Sequence, residues 1–311
     1  MIISVCMATY NGALFIKEQL NTILRQTRQP DEVIICDDCS QDNTVQIVQS
    51  FIEENHLETS WKLIQNHENK GYPGNFYYAM SLCEGDVIFL SDQDDIWNEE
   101  KIEKMCVLLE ERADISVLSC SFGLIDAKGQ RIQTVMHSGG RGKDELRCIP
   151  LQQVFYKYEW PGMVLAFRRE WYFQWACRMD TDCKVPHDFL LCVKASEEGG
   201  LWQMEEMLAY QRRHDNNVGL EEHRIHKLLN KPRKLQEIES YIRHLEGLYQ
   251  ADLPGTKEGK EILNQKMEAM RGRLTALQSC KIRQVLANAW MYRQEVRFAT
   301  MVCDVLIVRG K

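Results

Sequence analysis

The first 118 residues alternate between two hydrophobic periods, and that alternation leaves few folds open. Ile2 to Met7, Val33 to Cys36, Trp61 to Ile64, Val87 to Leu90 and Ile115 to Leu118 are short apolar runs with the length of buried strands. Between them lie segments of helical spacing. Residues 13–26 carry Leu14, Ile16, Leu20, Ile23 and Leu24, and Asp42 to Glu54 carry Val45, Ile47, Val48, Phe51 and Ile52. Phe76 to Cys83 and Glu99 to Arg112 repeat the pattern, while Gly71-Tyr72-Pro73-Gly74-Asn75 reads as a tight loop. Strands that alternate with helices need crossover connections. The predicted fold is therefore α/β, a mostly parallel sheet flanked by helices.

After about residue 122 the alternation fails. Gly139-Gly140-Arg141-Gly142-Lys143 reads as a mobile loop. A strand over Met163 to Phe167, a Trp-rich helix, a helix over His187 to Glu198 and a strand over Met204 to Arg212 follow. From Glu221 onward only helical patterns appear, broken near Lys231-Pro232 and Pro254-Gly255. The expected division is an α/β domain over residues 1–219 and a helical appendage over 220–311. Charge divides the same way: the net −7 is the sum of −13 before Leu220 and +6 from Leu220 onward.

Net negative charge argues against a general nucleic-acid binder. Cys6, Cys36, Cys83, Cys106 and Cys120 lie in or beside apolar runs, where a free thiol behaves as a small hydrophobe. With Met1 opening directly into the first strand, the expectation is a reducing, cytoplasmic setting. No run approaches the roughly 18 apolar residues that a spanning helix needs.

In an open α/β sheet, ligands bind outside the carboxyl ends of the strands. Three polar clusters fall there: Thr9-Tyr10-Asn11-Gly12, Asp37-Asp38-Cys39-Ser40 and Ser91-Asp92-Gln93-Asp94-Asp95. The first reads equally as a turn, and the second as caps for the next helix. Three carboxylates at one strand end repel, and a bound cation is the usual reason to assemble them; oxygen ligands favour magnesium or manganese. No G-x-G-x-x-G follows the first strand and no G-x-x-x-x-G-K-[ST] occurs, which argues against a dehydrogenase and a P-loop NTPase.

Taken in order, these elements resemble the family 2 glycosyltransferases of the GT-A fold, and within them the bacterial rhamnosyltransferase-like branch. Met7 to Gly12 is similar to the opening segment of the family, Cys36 to Ser40 to its D-D-x-S element and Ser91 to Trp97 to its D-x-D motif. Pro186-His187-Asp188 falls where the family places its catalytic carboxylate. Gln211 to Asn217 resembles its late loop, with a changed order of arginines. The Q-x-x-R-W motif of processive synthases is absent.

The resemblance implies an inverting, metal-dependent enzyme that moves one sugar from a nucleotide diphosphate, dTDP-rhamnose or a UDP-hexose, to a saccharide acceptor in cell-surface polysaccharide synthesis. It implies that Thr9, Tyr10, Asn11 and Asp38 line the nucleoside site, and that Asp92 meets the ribose or a metal-bound water. Asp94 and His214 would hold a divalent metal, Mg2+ or Mn2+. Arg212 or Arg213 would clamp phosphate, and Asp188 would be the general base; the residues alone allow Asp188 equally to be a helix cap. His187 would orient it. Trp160, Trp171 and Trp175 are candidates for stacking on sugars, although Trp171 and Trp175, one helical turn apart, suit packing.

A catalytically inactive sugar-nucleotide-binding scaffold and a sugar nucleotidyltransferase are the competing readings; the latter lacks its Gly-rich N-terminal segment. Acceptors in this branch are often lipid-linked. In the tail, Arg283, Arg293, Arg297 and Arg309 punctuate an apolar stretch with Val285, Leu286, Trp290, Val296, Met301, Val302, Val305 and Leu306. Such helices lie on an anionic membrane surface, here the inner face of the plasma membrane, or pack on the catalytic domain or on a second subunit as a homodimer.

Overall fold

A computed structural model describes residues 1–132, 146–176, 184–214 and 229–310. The Gly139–Lys143 loop and the Asp215–Asn217 end of the late loop lie outside them. The chain forms two compact units: Met1–Ile149 with Trp160–His214, and Pro150–Glu159 with Asp215–Lys311.

In the first unit, β1 (Ile3–Thr9), β2 (Glu32–Asp37), β3 (Trp61–Gln65) and β4 (Val87–Ser91) pair in parallel in the order β3-β2-β1-β4. Every residue of β2 and β4 is buried, which requires cover on both faces and suits parallel pairing. Apolar stripes supply that cover. Ile16, Leu20 and Ile23 are buried on α1 (Ile16–Leu24), as are Val48, Phe51 and Ile52 on α2 (Thr44–Glu54). The order reverses between β1 and β4, so the crevice at this topological switch opens between their carboxyl ends.

The helix α3 (Gly71–Ser81) starts five residues earlier than its apolar pattern predicts. Asp38 explains the difference. Its Oδ1 accepts from the backbone N–H of Lys70 at 2.8 Å and its Oδ2 from that of Gly71 at 2.9 Å. Donors at the helix start are thereby satisfied, and Pro73 falls in the first turn, where proline is tolerated. Gly71 to Asn75 are helical, not a loop.

Past α4 (Lys101–Glu111) the sheet becomes mixed, as the lost alternation implies. With β5 (Ile96–Trp97), β6 (Val117–Asp126), β9 (Leu165–Arg168) and β10 (Leu201–Arg213), the order continues from β4 as β9-β6-β10-β5. β9 runs antiparallel to both neighbours, and β6 and β10 are mutually parallel. Two short strands, β7 (Arg131–Ile132) and β8 (Leu146–Cys148), pair with β6 and β10. The antiparallel β5–β10 pairing sets Trp97 opposite Ala209 and Ile96 opposite Tyr210. Continued by two residues, it brings Asp94 alongside Arg212.

The second unit is helical. It contains α5 (Leu151–Tyr156) and, after α6 (Arg169–Ala176) and α7 (His187–Glu197) of the first unit, α8 (Lys231–Gln250), α9 (Lys257–Ser279), α10 (Ile282–Met291) and α11 (Phe298–Arg309). Residues 150–159 join this unit because Leu151, Val154 and Phe155 give α5 an apolar face that packs against α9. Lys231-Pro232 opens α8, with Asn230 as its cap, and Pro254-Gly255 separates α8 from α9. Leu245, Leu248, Leu263 and Leu277 are fully buried. No helix among the described residues is long and apolar enough to cross a membrane.

Candidate active site

The carboxyl ends of β1, β2 and β4 carry the first three polar clusters to one edge of the sheet. Their register is fixed by pairing: Thr9 lies opposite Asp37 and Met7 opposite Ser91. Thr9 is buried and its hydroxyl donates to Asp37 Oδ1 at 3.0 Å. Asp37 also accepts from the Ser40 backbone and hydroxyl. Asn11, at φ 49°, takes a Ser40 hydroxyl on its N–H and caps Gln41 N with its Oδ1. Tyr10 and Asn11 present exposed side chains at this edge.

The motif alone does not single out Gln93, and the structure gives it a specific task. Its Oε1 accepts from Tyr10 N at 2.9 Å and its Nε2 donates to Tyr10 O at 3.0 Å, tying the end of β1 to the segment after β4. Gly12 permits the approach: a Cβ there would stand 2.2 Å from Gln93 Oε1. Asp38, as the cap of α3, also accepts from Asn66 Nδ2 at 2.8 Å.

The segment after β4 holds the strongest electrostatic feature. Asp94 Oδ2 lies 2.7 Å from His214 Nε2. Protein surrounds the half-buried carboxyl of Asp92, and this desolvation, followed by the charges of Asp94 and Asp188, raises its pKa to about 8. Asp95 is buried and pushed up too, first by desolvation, then by Asp94 and Asp92. Its Oδ1 accepts from Arg212 N at 2.9 Å, while its Oδ2 has no hydrogen-bond partner among the described residues.

Lys101 opposes these carboxylates from inside the protein. It reads in the sequence as one charged position of a surface helix, yet it is fully buried. Its ammonium donates to Met163 O at 2.6 Å and stands 3.4 Å from the centre of the Trp97 ring. Burial lowers its pKa to about 8.

At the other side of the site, Asp188 occupies the first turn of α7, and its Oδ1 accepts from Phe189 N at 2.8 Å. Both alternatives for Asp188 therefore persist: it caps, and its charge reaches Asp92. His187 points into the core, stacked on Phe76 with ring centroids 3.9 Å apart. Neither ring nitrogen has a partner among the described residues, and burial lowers its pKa to about 3. Trp160 is buried, with Nε1 donating to Gln203 at 3.0 Å, and Trp171 and Trp175 meet edge to face.

Arg212 and Arg213, adjacent in sequence, differ in setting. Arg212 is buried, and its guanidinium donates to Asp94 O at 2.8 Å, to Asp126 O and Ala127 O, and to Glu18 Oε2 at 2.5 Å. Arg213 is half-buried, with its pKa lowered by burial and partly restored by Asp95.

Asp94 and His214 converge as one carboxylate oxygen and one imidazole nitrogen. Among the described residues no three His, Cys, Asp or Glu side chains are grouped to hold a metal unaided. Their oxygen and imidazole donors fit a divalent ion, which Asp94 and His214 would hold together with ligands from outside the chain. Cys36-Asp37-Asp38-Cys39 also has the spacing of a redox pair, but both thiols are free, Cys36 is buried in β2, and Cys39 Sγ donates to Asn66 O.

Comparison with known proteins places this geometry. Residues 4–156 match the sequence model of glycosyl transferase family 2. EpsE of Bacillus subtilis is 31% identical over 136 residues, 44% of this chain and 48% of that protein. The dTDP-rhamnosyl transferase RfbG of Shigella flexneri is 40% identical over 105 residues, 31% of this chain and 34% of that protein. The chain thus spans at most about half the length of these two relatives. The crystal structure of Staphylococcus aureus TarS 1–349 in complex with UDP-GlcNAc superposes with a TM-score of 0.59 at 19% identity, covering 96% of this chain and 93% of that one. At that identity the match shows the fold, which is the GT-A fold that the family resemblance implied. The match to glycosyl transferase family 2 spans residues 4–156 of this chain, and all three strand-end clusters lie within it.

Proposed function

We propose that the protein transfers one sugar from a nucleotide diphosphate sugar to a saccharide acceptor, with inversion at the anomeric carbon and with a divalent metal. The observation that carries this reading is the meeting of Asp94 with His214 at the sheet's switch point, beside carboxylates whose charges act on one another. The family match supports the same reading. Similarity to a dTDP-rhamnosyl transferase supports dTDP-rhamnose as donor, and the fold shared with a UDP-GlcNAc complex supports a UDP-hexose.

In this reading Thr9, Tyr10, Asn11 and Asp38 form the wall of the nucleoside site. Thr9 and Asp38 act by holding the loops rigid, and Tyr10 and Asn11 offer exposed groups. Asp94 and His214 would hold the metal, which would supply positive charge opposite the departing diphosphate. Asp92 meets the ribose or a bound water. Arg213 contacts phosphate, while Arg212 fixes the backbone that presents Asp94. Asp188 accepts the acceptor hydroxyl proton as that oxygen attacks from the face opposite the diphosphate.

The test is incubation with Mn2+ and a panel of dTDP- and UDP-sugars, with a saccharide acceptor. Release of nucleoside diphosphate supports the proposal. Release of pyrophosphate would assign nucleotidyl transfer instead, and nucleotide binding without any turnover would assign a scaffold.

A further inference from the structure

The last two helices carry large apolar side chains on the outside of the second unit. On α10, Leu286 and Trp290 lie four residues apart, and on α11, Phe298, Val302 and Leu306 form a stripe at the same spacing. All are exposed, with Trp290 at 76%, Phe298 at 75% and the neighbouring Met291 at 68%. The opposite faces are internal: Val285 and Ala289 of α10 and Ile307 and Val308 of α11 are buried. Both helices thus have a packed face and a second apolar face turned to solvent. Soluble monomers rarely leave such clusters of large apolar groups uncovered.

Within residues 281–309 the exposed charges are of one sign, and the exposed Glu268 of α9 meets Tyr292 at the edge. Lys281, Arg283, Arg293 and Arg309 are exposed and Arg297 is half-buried. The two acids of this segment, Glu295 and Asp304, are buried. Asp304 is held by Arg273, with Nε 2.6 Å from Oδ2, and Glu295 lies near the buried Lys266. The outward formal charge over 281–309 is therefore entirely positive.

We propose that the outer faces of α10 and α11 dock on the surface of an anionic lipid bilayer. The apolar side chains enter the interface while the cations meet lipid phosphates. Trp290 suits that boundary, with an apolar ring and one polar N–H. A second copy of the chain fits less well: a symmetric contact would set arginines against arginines, and both acids of this segment are committed inside. This surface belongs to the second unit alone, and the inference goes beyond the transfer reaction and does not depend on it.

The test is co-sedimentation of the full chain with vesicles of equimolar phosphatidylcholine and phosphatidylglycerol, against vesicles of phosphatidylcholine alone. The protein sediments with the mixed vesicles only, and less as salt shortens the screening length. Changing Arg283, Arg293 and Arg309 to Gln lowers partitioning about a hundredfold, about fivefold for each charge. Trp290→Ser combined with Phe298→Ser abolishes binding. All five side chains are exposed, so each variant keeps the parental unfolding temperature. No sedimentation of the parent, equal sedimentation with neutral vesicles, or variants that bind like the parent would overturn the proposal. A parental dimer that Trp290→Ser dissociates, without vesicle binding, would assign the surface to a second copy.

Discussion

His214 Nε2 and Asp94 Oδ2 stand 2.7 Å apart although 120 positions separate them in the chain. The contact depends on the two-residue strand β5, whose antiparallel pairing with β10 turns the segment after β4 along the end of β10. Asp94 is thus positioned from both sides, by His214 at its carboxylate and by Arg212 at its carbonyl. His214→Gln should raise the metal concentration needed for half-maximal activity by about tenfold or more, the scale seen when metal-site partners are lost. Titration of activity with Mn2+ at saturating donor checks this. An unchanged metal requirement would remove His214 from the site.

Asp188→Asn should separate the two tasks open to that residue. Asn retains an oxygen to accept from Phe189 N, so the unfolding temperature should stay near the parental value. If Asp188 is the base, kcat should fall by about 10²–10⁴ while nucleotide affinity holds. Stopped assays of diphosphate release beside calorimetric nucleotide binding measure both. A normal kcat would leave Asp188 as a cap only.

The two neighbouring arginines should respond oppositely. Arg212→Met strands the carbonyl of Asp94 and loosens Asp126, Ala127 and Glu18, and should cost about 3 kcal/mol of stability. Arg213→Gln should leave denaturant midpoints unchanged and raise KM for the donor. Equal stability losses would show that Arg213 is also structural.

His187 should shape the acid limb of stability. Burial holds its folded pKa at about 3, below the ordinary value of 6.5. Between those values the unfolded chain takes up a proton that the folded state refuses, so stability falls as pH drops below about 6.5. At pH 5 this amounts to about 2 kcal/mol. His187→Phe, which keeps an aromatic ring beside Phe76, should therefore lose less stability than the parent between neutral pH and pH 5. Parallel acid limbs in urea melts would contradict this account.

What the sequence disclosed follows the range of each interaction. The helices and parallel strands of the first 118 residues were legible because burial on both faces writes itself as period and apolar runs. The start of α3 was hidden because Asp38, more than thirty residues away, provides its cap. Glycine and proline there read as a turn. Lys101 was unreadable as a buried charge because its partners, Met163 O and the Trp97 ring, lie across the fold. The strand-end clusters at Thr9, Asp38 and Asp92 could be placed, but not the Gln93 strap between two of them, which depends on the close approach at Gly12. In the tail the sequence showed basic residues among apolar ones; which apolar residues face out was settled by packing.

The central claim is that Asp94 would hold a divalent metal whose charge strengthens binding of the donor's diphosphate. Calorimetric titration of UDP and dTDP with and without Mn2+, for the parent and for Asp94→Ala, tests it most directly. Metal should tighten nucleotide binding in the parent, and that gain should vanish in the variant. Nucleotide binding that is indifferent to metal in the parent, or a metal-dependent gain preserved in Asp94→Ala, would contradict the account.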